Sequence, residues 1–437
     1  MSEAQTIFAL SSGQGRAGVA VVRMSGSLAF AAARAMGARD QSLRMAKLVK
    51  LRDPSSGVYL DQALVLHFAS PASFTGEDVV ELHIHGGRAV AASVLKSLGA
   101  TSGFRLARAG EFTERALQNG KLDLTQVEAL SDLIDSQTEQ QRLQALRGLE
   151  GVLGRNVGGW RHDLLTIRAL LAASIDFSDE GDVGDGSIDQ IDSLLQRLES
   201  DLTQAVAAFS SRRIINEGFR VAIVGRPNAG KSTLLNTLAG MDIAIVSDVP
   251  GTTRDVIEVK LDLDGYAVVL FDTAGMRVAD DVVEMIGVER ALAQAARADL
   301  VLLLDDQADW SLIRSDWRKT IRIRTKCDSK QSALMCADLS LSCHAYWGLE
   351  ALRASLSHHA KQAAWATDEP LVIKERQHVA ISEALAAVSL ARGALQIGIE
   401  LADHGTGVAI RSLAAVVGEI GVEEALGEIF SRFCIGK

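Results

Sequence analysis

The sequence contains little cysteine and no long apolar run. Four cysteines occur among its 437 residues, and none of their spacings matches a paired metal-ligand motif. A disulfide-stabilised secreted fold is therefore not indicated, and a reduced protein of the cytoplasm is the simplest expectation. The longest apolar stretches, such as LLTIRALLAASI from Leu164, are well short of the ~20 residues that cross a bilayer. The first residues predict no signal peptide, and no membrane association is expected.

Lysine and arginine are also fewer than aspartate and glutamate, 45 against 55. The formal net charge is −10, which argues against a broad basic surface for nucleic acid, although a local basic patch could still bind RNA transiently. Proline is scarce, with five residues, whereas 48% of the chain is hydrophobic. These proportions are typical of a globular protein, and the length predicts about three domains of ~150 residues each.

Hydrophobic patterns divide the chain into four stretches. Residues 1–119 combine alternating segments typical of strands with helical spacing, and they predict an α+β domain. Residues 120–216 carry apolar positions at three- and four-residue steps and predict long helices, one of them capped by Ser187. In residues 217–370, strands and helices alternate, which predicts a parallel sheet covered by helices. Helical spacing returns in residues 371–437, so we expect one helical domain with the α/β domain inserted into it.

The segment VAIVGRPNAGKST contains a phosphate-binding loop. Gly225 is followed, after four residues, by Gly230, Lys231 and Ser232, with a predicted strand before and a predicted helix after. The glycines let backbone N–H groups approach phosphates, and the helix N-terminus favours their negative charge. We expect Lys231 to bind the β- and γ-phosphates and the Ser232 hydroxyl to bind Mg²⁺.

Three further segments follow in the order that a GTPase requires. SDVPGTTRD places Thr253 where it can reach Mg²⁺ and the γ-phosphate. DTAG supplies Asp272 to Mg²⁺, directly or through water, and the N–H of Gly275 to the γ-phosphate. IRTKCD offers Lys326 and Asp328, whose carboxylate can accept two hydrogen bonds from guanine that adenine cannot donate, so guanine is the predicted base. The predicted nucleotide-binding set is Asn228, Ala229, Gly230, Lys231, Ser232, Thr233, Ser247, Asp248, Val249, Thr252, Thr253, Asp272, Thr273, Ala274, Gly275, Lys326 and Asp328.

Three features depart from the usual GTPase pattern. Met276 follows the DTAG glycine, where many GTPases have a glutamine that orients the attacking water. Methionine has no donor or strong acceptor for that task. Thr325 replaces the usual asparagine of the base motif, which leaves the positioning of the base loop open. The closing base motif is represented only weakly, by Ser342, Cys343 and His344.

Along nearly its whole length the chain resembles the MnmE (TrmE) family of tRNA wobble-uridine modification GTPases. The family's first domain and the start of its helical domain are similar to TIFALSSGQGRAGVAVVRMSG, SFTGEDVVELHIHGG and GEFTERALQNGKLDL. Its G domain is similar to GRPNAGKST, IVSDVPGTTRD and DTAG, and its C-terminal end to FCIGK. The chain departs from the family at Ala109 and Leu117, where proline and phenylalanine are usual, and at Thr325.

The resemblance implies a fold, an activity and partners. The implied fold is multidomain: an α+β folate-binding N-terminal domain that also mediates homodimerisation, an α-helical domain, and an inserted Ras-like α/β P-loop G domain. The implied activity is potassium-activated GTP hydrolysis. The implied partner is the flavoprotein MnmG (GidA), which carries FAD and joins the chain in a heterotetramer. Together they would add a carboxymethylaminomethyl or aminomethyl group to C5 of the tRNA wobble uridine, using a 5-formyltetrahydrofolate-type folate.

The resemblance also suggests which groups neutralise the phosphate charge and orient the attacking water during GTP hydrolysis. It implies a K⁺ ion bound by Asn228, Ser247, Val249 and Thr252, which neutralises charge on the phosphates as an arginine finger does. Glu284 corresponds to the family's catalytic glutamate, and its carboxylate can orient the water. By itself, Glu284 would be interpreted as a solvated residue near a helix start.

Three residues match the family's folate-contacting positions: Arg23, Glu81 and Lys121. The resemblance of FCIGK to the family's end implies that this segment lies at the folate pocket, so Lys437 is predicted as a further contact. A carboxylate can pair with the amino-pyrimidine donors of the pterin, and cations can pair with the glutamate tail or carbonyl oxygens of a folate. Taken singly, each of these charges would be interpreted as a surface residue.

Two other chemistries are weaker alternatives. His83 and His85 alternate along one face of a predicted strand, but two histidines without a third ligand make a poor metal site. Cys434 lies in the terminal FCIGK segment, and a nucleophilic role would require a lowered thiol pKa. We adopt neither interpretation.

Two other functions remain open. One is an RNA-binding assembly switch similar to ribosome-maturation GTPases, which usually carry a basic RNA module that is not evident here. The other is a GTPase-like scaffold without hydrolysis, suggested by Met276 and Thr325. The intact Lys231, Ser232, Thr253 and Asp272 argue against the scaffold.

Overall fold

A computed structural model describes most of the chain. The described residues are 5–13, 15–39, 42–176, 184–241, 243–245, 258–272, 295–328, 337–364, 374–419, 426, 427, 429, 430, 433 and 436. The chain forms two compact units, one from Met1–Ser131 with Leu413–Lys437 and the other from Asp132–Ser412.

The first unit contains a six-stranded mixed sheet with helices between and after its strands. Its elements are β1 (Thr6–Leu10), β2 (Val19–Ser25), α1 (Ala29–Ala35), β3 (Lys47–Arg52), β4 (Tyr59–Phe68), β5 (Val79–His85), α2 (Arg88–Gly99), β6 (Phe104–Leu106) and α3 (Glu111–Gln118). The strand order is β3-β4-β5-β2-β1-β6, antiparallel except for the β1–β6 pair. This is the predicted α+β domain.

Burial alternates along β4, where Ala63 and Val65 are buried and Leu64 is exposed. Such alternation places one face of an antiparallel sheet on a core and the other toward solvent. The inward residues of β2, β4 and β5 form one apolar cluster with α1 and α2. The outward face therefore remains available for the charged side chains of β2 and β5.

Long helices begin after this sheet. They are α4 (Leu124–Asp135), α5 (Glu139–Leu149), α6 (Val152–Asp176) and α7 (Gly184–Glu217). At the start of α5 the Gln141 side chain accepts the N–H of Thr138 at 3.2 Å, which satisfies the backbone donor of the N-cap residue. Helix α7 begins at Gly184, so Ser187 lies inside the helix and the predicted cap at Ser187 is wrong.

A second six-stranded sheet follows. Its elements are β7 (Phe219–Gly225), α8 (Lys231–Ala239), β8 (Glu258–Leu263), β9 (Tyr266–Asp272), β10 (Leu300–Asp305), β11 (Thr320–Arg324), β12 (Leu339–Ser340) and α9 (Leu349–Ala364). The order is β12-β11-β10-β7-β9-β8, parallel except for β8.

Successive residues of β7 enter two different apolar clusters. Val221 and Ile223 join one, and Ala222 and Val224 join the other. Burial on both faces is typical of a central strand in a parallel sheet. Since β7, β9, β10 and β11 run in the same direction, their carboxyl ends share one edge, where α/β sheets bind ligands.

Helices follow this sheet in the described part of the chain, among them α10 (Glu375–Ala394) and α11 (Ile399–Val417). Arg392 of α10 pairs with Asp192 and Glu199 of α7, and the His378 ring stacks on Phe209 at 4.3 Å. A helix before the second sheet thus packs on a helix after it, as an inserted α/β domain requires. Among the described residues, none of the helices combines the length and the apolar character that a membrane crossing needs.

Candidate active site

The loop between β7 and α8 requires glycine at two positions. A Cβ built on Gly225 would lie 2.3 Å from the carbonyl oxygen of Leu304, closer than a side chain can approach. Gly230 is the N-cap of α8 with φ +93°, in the left-handed region that glycine adopts readily. A glycine cap brings no side chain to the first turn of α8, so its N–H groups are available to an anion.

Lys231 lies inside this loop and is 7% exposed. Its ammonium donates hydrogen bonds to the carbonyl oxygens of Gly225 at 2.7 Å and Arg226 at 2.8 Å. Burial lowers the pKa of Lys231, and the nearby Asp272 carboxylate opposes that effect. The loop therefore holds the ammonium among its own carbonyls at the first turn of α8, as the predicted phosphate contact requires.

Ser232 and Asp272 meet beside the loop. The Ser232 hydroxyl donates to Oδ2 of Asp272 at 3.0 Å, and Asp272, the last residue of β9, is 4% exposed. Adjacent oxygen ligands of an octahedral Mg²⁺ at 2.0–2.1 Å lie about 2.9 Å apart. Hard oxygen donors at this spacing fit Mg²⁺, so these residues suit the ion that the sequence predicts.

Thr325 links the base motif to the phosphate loop. Its hydroxyl donates to the carbonyl oxygen of Ala229 at 2.8 Å, and the two residues are 4% and 2% exposed. The Thr325 N–H donates to the carbonyl of Asp305 at 3.1 Å. The hydroxyl thus performs the bracing expected of an asparagine, which removes one of the two reasons for the scaffold interpretation.

The weakly predicted closing base motif lies against Asp328. The Ser342 hydroxyl donates to Oδ1 of Asp328, and paired backbone bonds of 2.9 and 3.1 Å join Ser342 to Trp347. Burial raises the pKa of the Cys343 thiol, although a hydrogen bond with Thr237 of α8 opposes the change. The structure therefore brings the two base-recognition segments together, and Cys343 connects them to the helix of the phosphate loop.

Other predicted residues lie outside the described part of the chain. In the nucleotide set these are Ser247, Asp248, Val249, Thr252, Thr253, Thr273, Ala274 and Gly275. Glu284, the predicted catalytic residue, also lies outside it. Met276, Cys434 and the folate residue Lys437 also lie outside it.

In the first unit, Arg23 and Glu81 form an ion pair. They are cross-strand partners on β2 and β5, and Nη2 of Arg23 lies 2.8 Å from Oε1 of Glu81. The guanidinium also lies 5.7 Å from the ring centroids of Phe74 and Phe112, within range of a cation–π interaction. Phe74 is 38% exposed. Phe74 was not predicted as a site residue, although it lies in SFTGED, a segment that resembles the family's first domain.

Lys121 lies beside the loop that carries Phe74, residues 70–78. Its ammonium donates to the carbonyl of Pro71 at 2.9 Å, and its methylenes lie 3.3 Å from a Cβ built on Gly76. Asn119 donates to the carbonyl of Thr75 at 2.7 Å. Two of the predicted folate residues, Arg23 and Lys121, therefore contact one loop, and Glu81 pairs with Arg23.

The two histidines of β5 turn to different carboxylates. Nε2 of His83 lies 3.3 Å from Glu81, and Nδ1 of His85 lies 2.8 Å from Asp61. Within the described residues, no group of three or more His, Cys, Asp or Glu side chains could hold a metal ion. His83 is instead a neighbour of the Arg23–Glu81 pair.

Comparison with known proteins covers almost the whole chain. The model described as GTP-binding protein TrmE N-terminus matches residues 6–121, and the model described as MnmE helical domain matches residues 124–434. The tRNA modification GTPase MnmE of Azorhizobium caulinodans is 46% identical over 434 residues, with 99% of each chain covered. That of Parvibaculum lavamentivorans is 44% identical over 442 residues, covering 99% of this chain and 100% of the relative. The chain belongs to the MnmE family.

Membership of the MnmE family confirms the resemblance stated from the sequence. It also confirms the predicted fold class and the predicted enzyme class, a GTP hydrolase in tRNA modification. The predicted domain boundaries and the roles of individual residues stay predictions. Among solved structures, Aquifex aeolicus Era bound to GDP and AlF4⁻ is 25% identical, with a TM-score of 0.27 over 39% of this chain and 67% of that one.

Proposed function

We propose that this MnmE-family GTPase is activated by potassium and works with the flavoprotein MnmG on tRNA. In this proposal the two proteins add a carboxymethylaminomethyl or aminomethyl group to C5 of the wobble uridine, and a 5-formyltetrahydrofolate-type folate supplies the one-carbon unit. The observation that carries the proposal is the presence in one chain of a complete phosphate loop and the Arg23–Glu81 pair on a separate sheet. The chain acts as a homodimer and, with MnmG, as a heterotetramer.

The residues of the phosphate loop divide the work of hydrolysis. Lys231 binds the β- and γ-phosphates. Ser232, Asp272 and Thr253 would hold Mg²⁺, which would supply charge neutralisation for hydrolysis. Thr325 keeps the base loop against the phosphate loop, so Asp328 meets guanine while the phosphates meet α8.

Asn228 is the residue on which the potassium part of the proposal depends. It is exposed within the phosphate loop and has φ +64°, a conformation that asparagine tolerates better than most residues. An amide oxygen is a hard donor that suits K⁺, together with oxygens of Ser247, Val249 and Thr252. Glu284 then orients the attacking water, the task that Met276 cannot perform.

The first unit contributes the folate site. Arg23 pairs with Glu81 and lies 5.7 Å from the ring centroid of Phe74, so one guanidinium contacts both a carboxylate and an aromatic surface. This combination suits a planar amino-pyrimidine, which offers N–H donors at its edge and a π surface on its face. Lys121 and Lys437 add cations for the acidic tail of the ligand.

The first test is steady-state GTP hydrolysis in matched potassium and sodium buffers at one ionic strength. Potassium should accelerate hydrolysis, and Asn228→Ala should remove the acceleration. Asn236→Ala, an exposed change on α8, is the matched control and should keep it. Equal rates of the unmodified protein in both buffers would refute potassium activation.

A second test concerns the folate and the tRNA. Calorimetry with 5-formyltetrahydrofolate should detect binding that Glu81→Gln weakens, whereas Glu114→Gln, in the same unit, should leave it unchanged. Mass spectrometry of wobble nucleosides, after reaction with MnmG, folate, GTP and tRNA, should show the aminomethyl-type group. A folate that does not bind would refute the proposed one-carbon source.

A further inference from the structure

A short acidic turn follows β10 and contacts both the phosphate loop and the base motif. Residues 305–309, with the sequence DDQAD, form this acidic turn. Asp305 is 2% exposed, and its Oδ1 accepts hydrogen bonds from the N–H groups of Gln307 at 2.7 Å and Asp309 at 3.1 Å. Ala308 has φ +60°, which is unfavourable for alanine and persists only where surrounding contacts hold it. The turn is therefore a fixed element.

One end of the acidic turn contacts the phosphate loop. The guanidinium of Arg226, next to Gly225, pairs with Asp309 and lies 4.0 Å from Asp305. The carbonyl of Arg226 is also one of the two acceptors of the Lys231 ammonium. The position of Arg226 thus affects the group that binds the phosphates.

The other end contacts the base motif. Nζ of Lys326 lies 3.0 Å from Oδ2 of Asp306, and Lys326 has φ +58°. The hydrogen bond from Lys326 lowers the pKa of Asp306, so its carboxylate is ionised at neutral pH. The carbonyl of Asp305 accepts the N–H of Thr325. The turn and the base motif are therefore joined by backbone and by side chain.

We propose that the acidic turn, residues 305–309, is a positioning element that couples the phosphate loop to the guanine loop and slows nucleotide release. Three carboxylates near a phosphate site would otherwise oppose nucleotide binding through like charge. Here Arg226 and Lys326 neutralise two of them, and each cation is thereby fixed in one of the two loops. Arg226 and Lys326 therefore hold the two loops in position instead of attracting the phosphates directly.

The competing explanation is that the two partly exposed aspartates, Asp306 and Asp309, are only surface charge. The two explanations predict opposite signs, because removing a repulsive charge would slow nucleotide release, whereas removing a positioning contact would accelerate it. Exposed ion pairs contribute modestly, so we expect a change of about 2- to 5-fold for each pair.

The experiment measures the release rate of a fluorescent GDP analogue from the full-length protein. Asp306→Asn and Asp309→Asn should each accelerate release, and the double variant should accelerate it further. Asp316→Asn is the matched control, since it removes the same charge from an exposed pair with Arg314 on the same segment. Asp309→Glu should restore most of the normal rate, because the longer carboxylate can still reach Arg226.

Salt and stability measurements separate positioning from other effects. The ratio of variant to unmodified release rates should fall toward one at about 1 M salt, where the Debye length is about 3 Å. Melting midpoints should remain unchanged. Release that is unchanged or slower, or an equal acceleration in Asp316→Asn, would overturn the proposal. An acceleration that persists undiminished at high salt would overturn it as well.

Discussion

The hydroxyl of Thr325 is the contact whose removal has the clearest expected consequence. Thr325→Val keeps the shape of the side chain and deletes the hydrogen bond to the Ala229 carbonyl, which is 2.8 Å long and buried. A buried group that loses its partner costs about 1–3 kcal/mol. Because the bond joins the base motif to the phosphate loop, we expect much of this cost to appear in nucleotide affinity.

In numbers, a loss of about 1–2 kcal/mol corresponds to a factor of about 5–30 in an equilibrium constant. The assay is the affinity and release rate of a fluorescent GDP analogue, together with thermal unfolding. Thr325→Val should weaken binding by that factor. Thr325→Ser keeps the hydroxyl and should bind within a few-fold of the unmodified protein.

Two results would refute this reasoning. Normal affinity in Thr325→Val would show that the hydroxyl does not support the base loop. A loss in Thr325→Ser as large as that in Thr325→Val would show that the methyl group, which lies about 4 Å from a Cβ built on Gly230 and which only Thr325→Ser removes, matters as much as the hydrogen bond.

Three further predictions concern single residues. Glu284→Ala should abolish most hydrolysis with little change in nucleotide affinity, because its carboxylate acts on water; an affinity loss measured by nucleotide titration would assign Glu284 a structural role. Gly225→Ala should prevent a correctly folded G domain, since its Cβ would meet the Leu304 carbonyl at 2.3 Å; circular dichroism and nucleotide binding would show this. Burial alone would raise the pKa of Glu111, but hydrogen bonds from Arg105 and from the Arg108 N–H lower it from 4.5 to about 2. The resulting stabilisation, about 3 kcal/mol, is present above pH 4.5 and is lost as pH falls to about 2; thermal unfolding across this range should show the loss, and Glu111→Gln should show much less of it.

Motifs that are contiguous in sequence were predictable. The phosphate loop needs only a strand, a glycine turn and a helix start, all within Phe219–Ala239, and the structure places them as expected. The two sheets and the return of helices after residue 370 followed from apolar periodicity, because burial on one or both faces fixes the repeat. The start of α7 did not follow, since helix ends depend on contacts that periodicity does not record.

Contacts between distant residues were not predictable. Arg226 and Asp309 are 83 positions apart. Phe74 lies 51 positions from Arg23, whose guanidinium is 5.7 Å from the centroid of the Phe74 ring. A lone aspartate or phenylalanine carries no signal of its partner, because the pairing depends on how strands and turns place the side chains. For the same reason the sequence indicated Ser342 only weakly, whereas its hydrogen bond to Asp328 is direct.

Thr325, which replaces the usual asparagine, is bonded through its N–H to Asp305 of the acidic turn. The Thr325 hydroxyl forms a buried, uncharged link between the two loops, and the acidic turn forms an exposed, ionic link. Asp305 belongs to both, because its carbonyl accepts the Thr325 N–H while its carboxylate fixes the turn. Two parallel links limit the loss when either one is removed, and only the ionic link weakens with salt. The loss of affinity in Thr325→Val should therefore be larger at high salt than at low salt, and an effect independent of salt would show that the two links act separately.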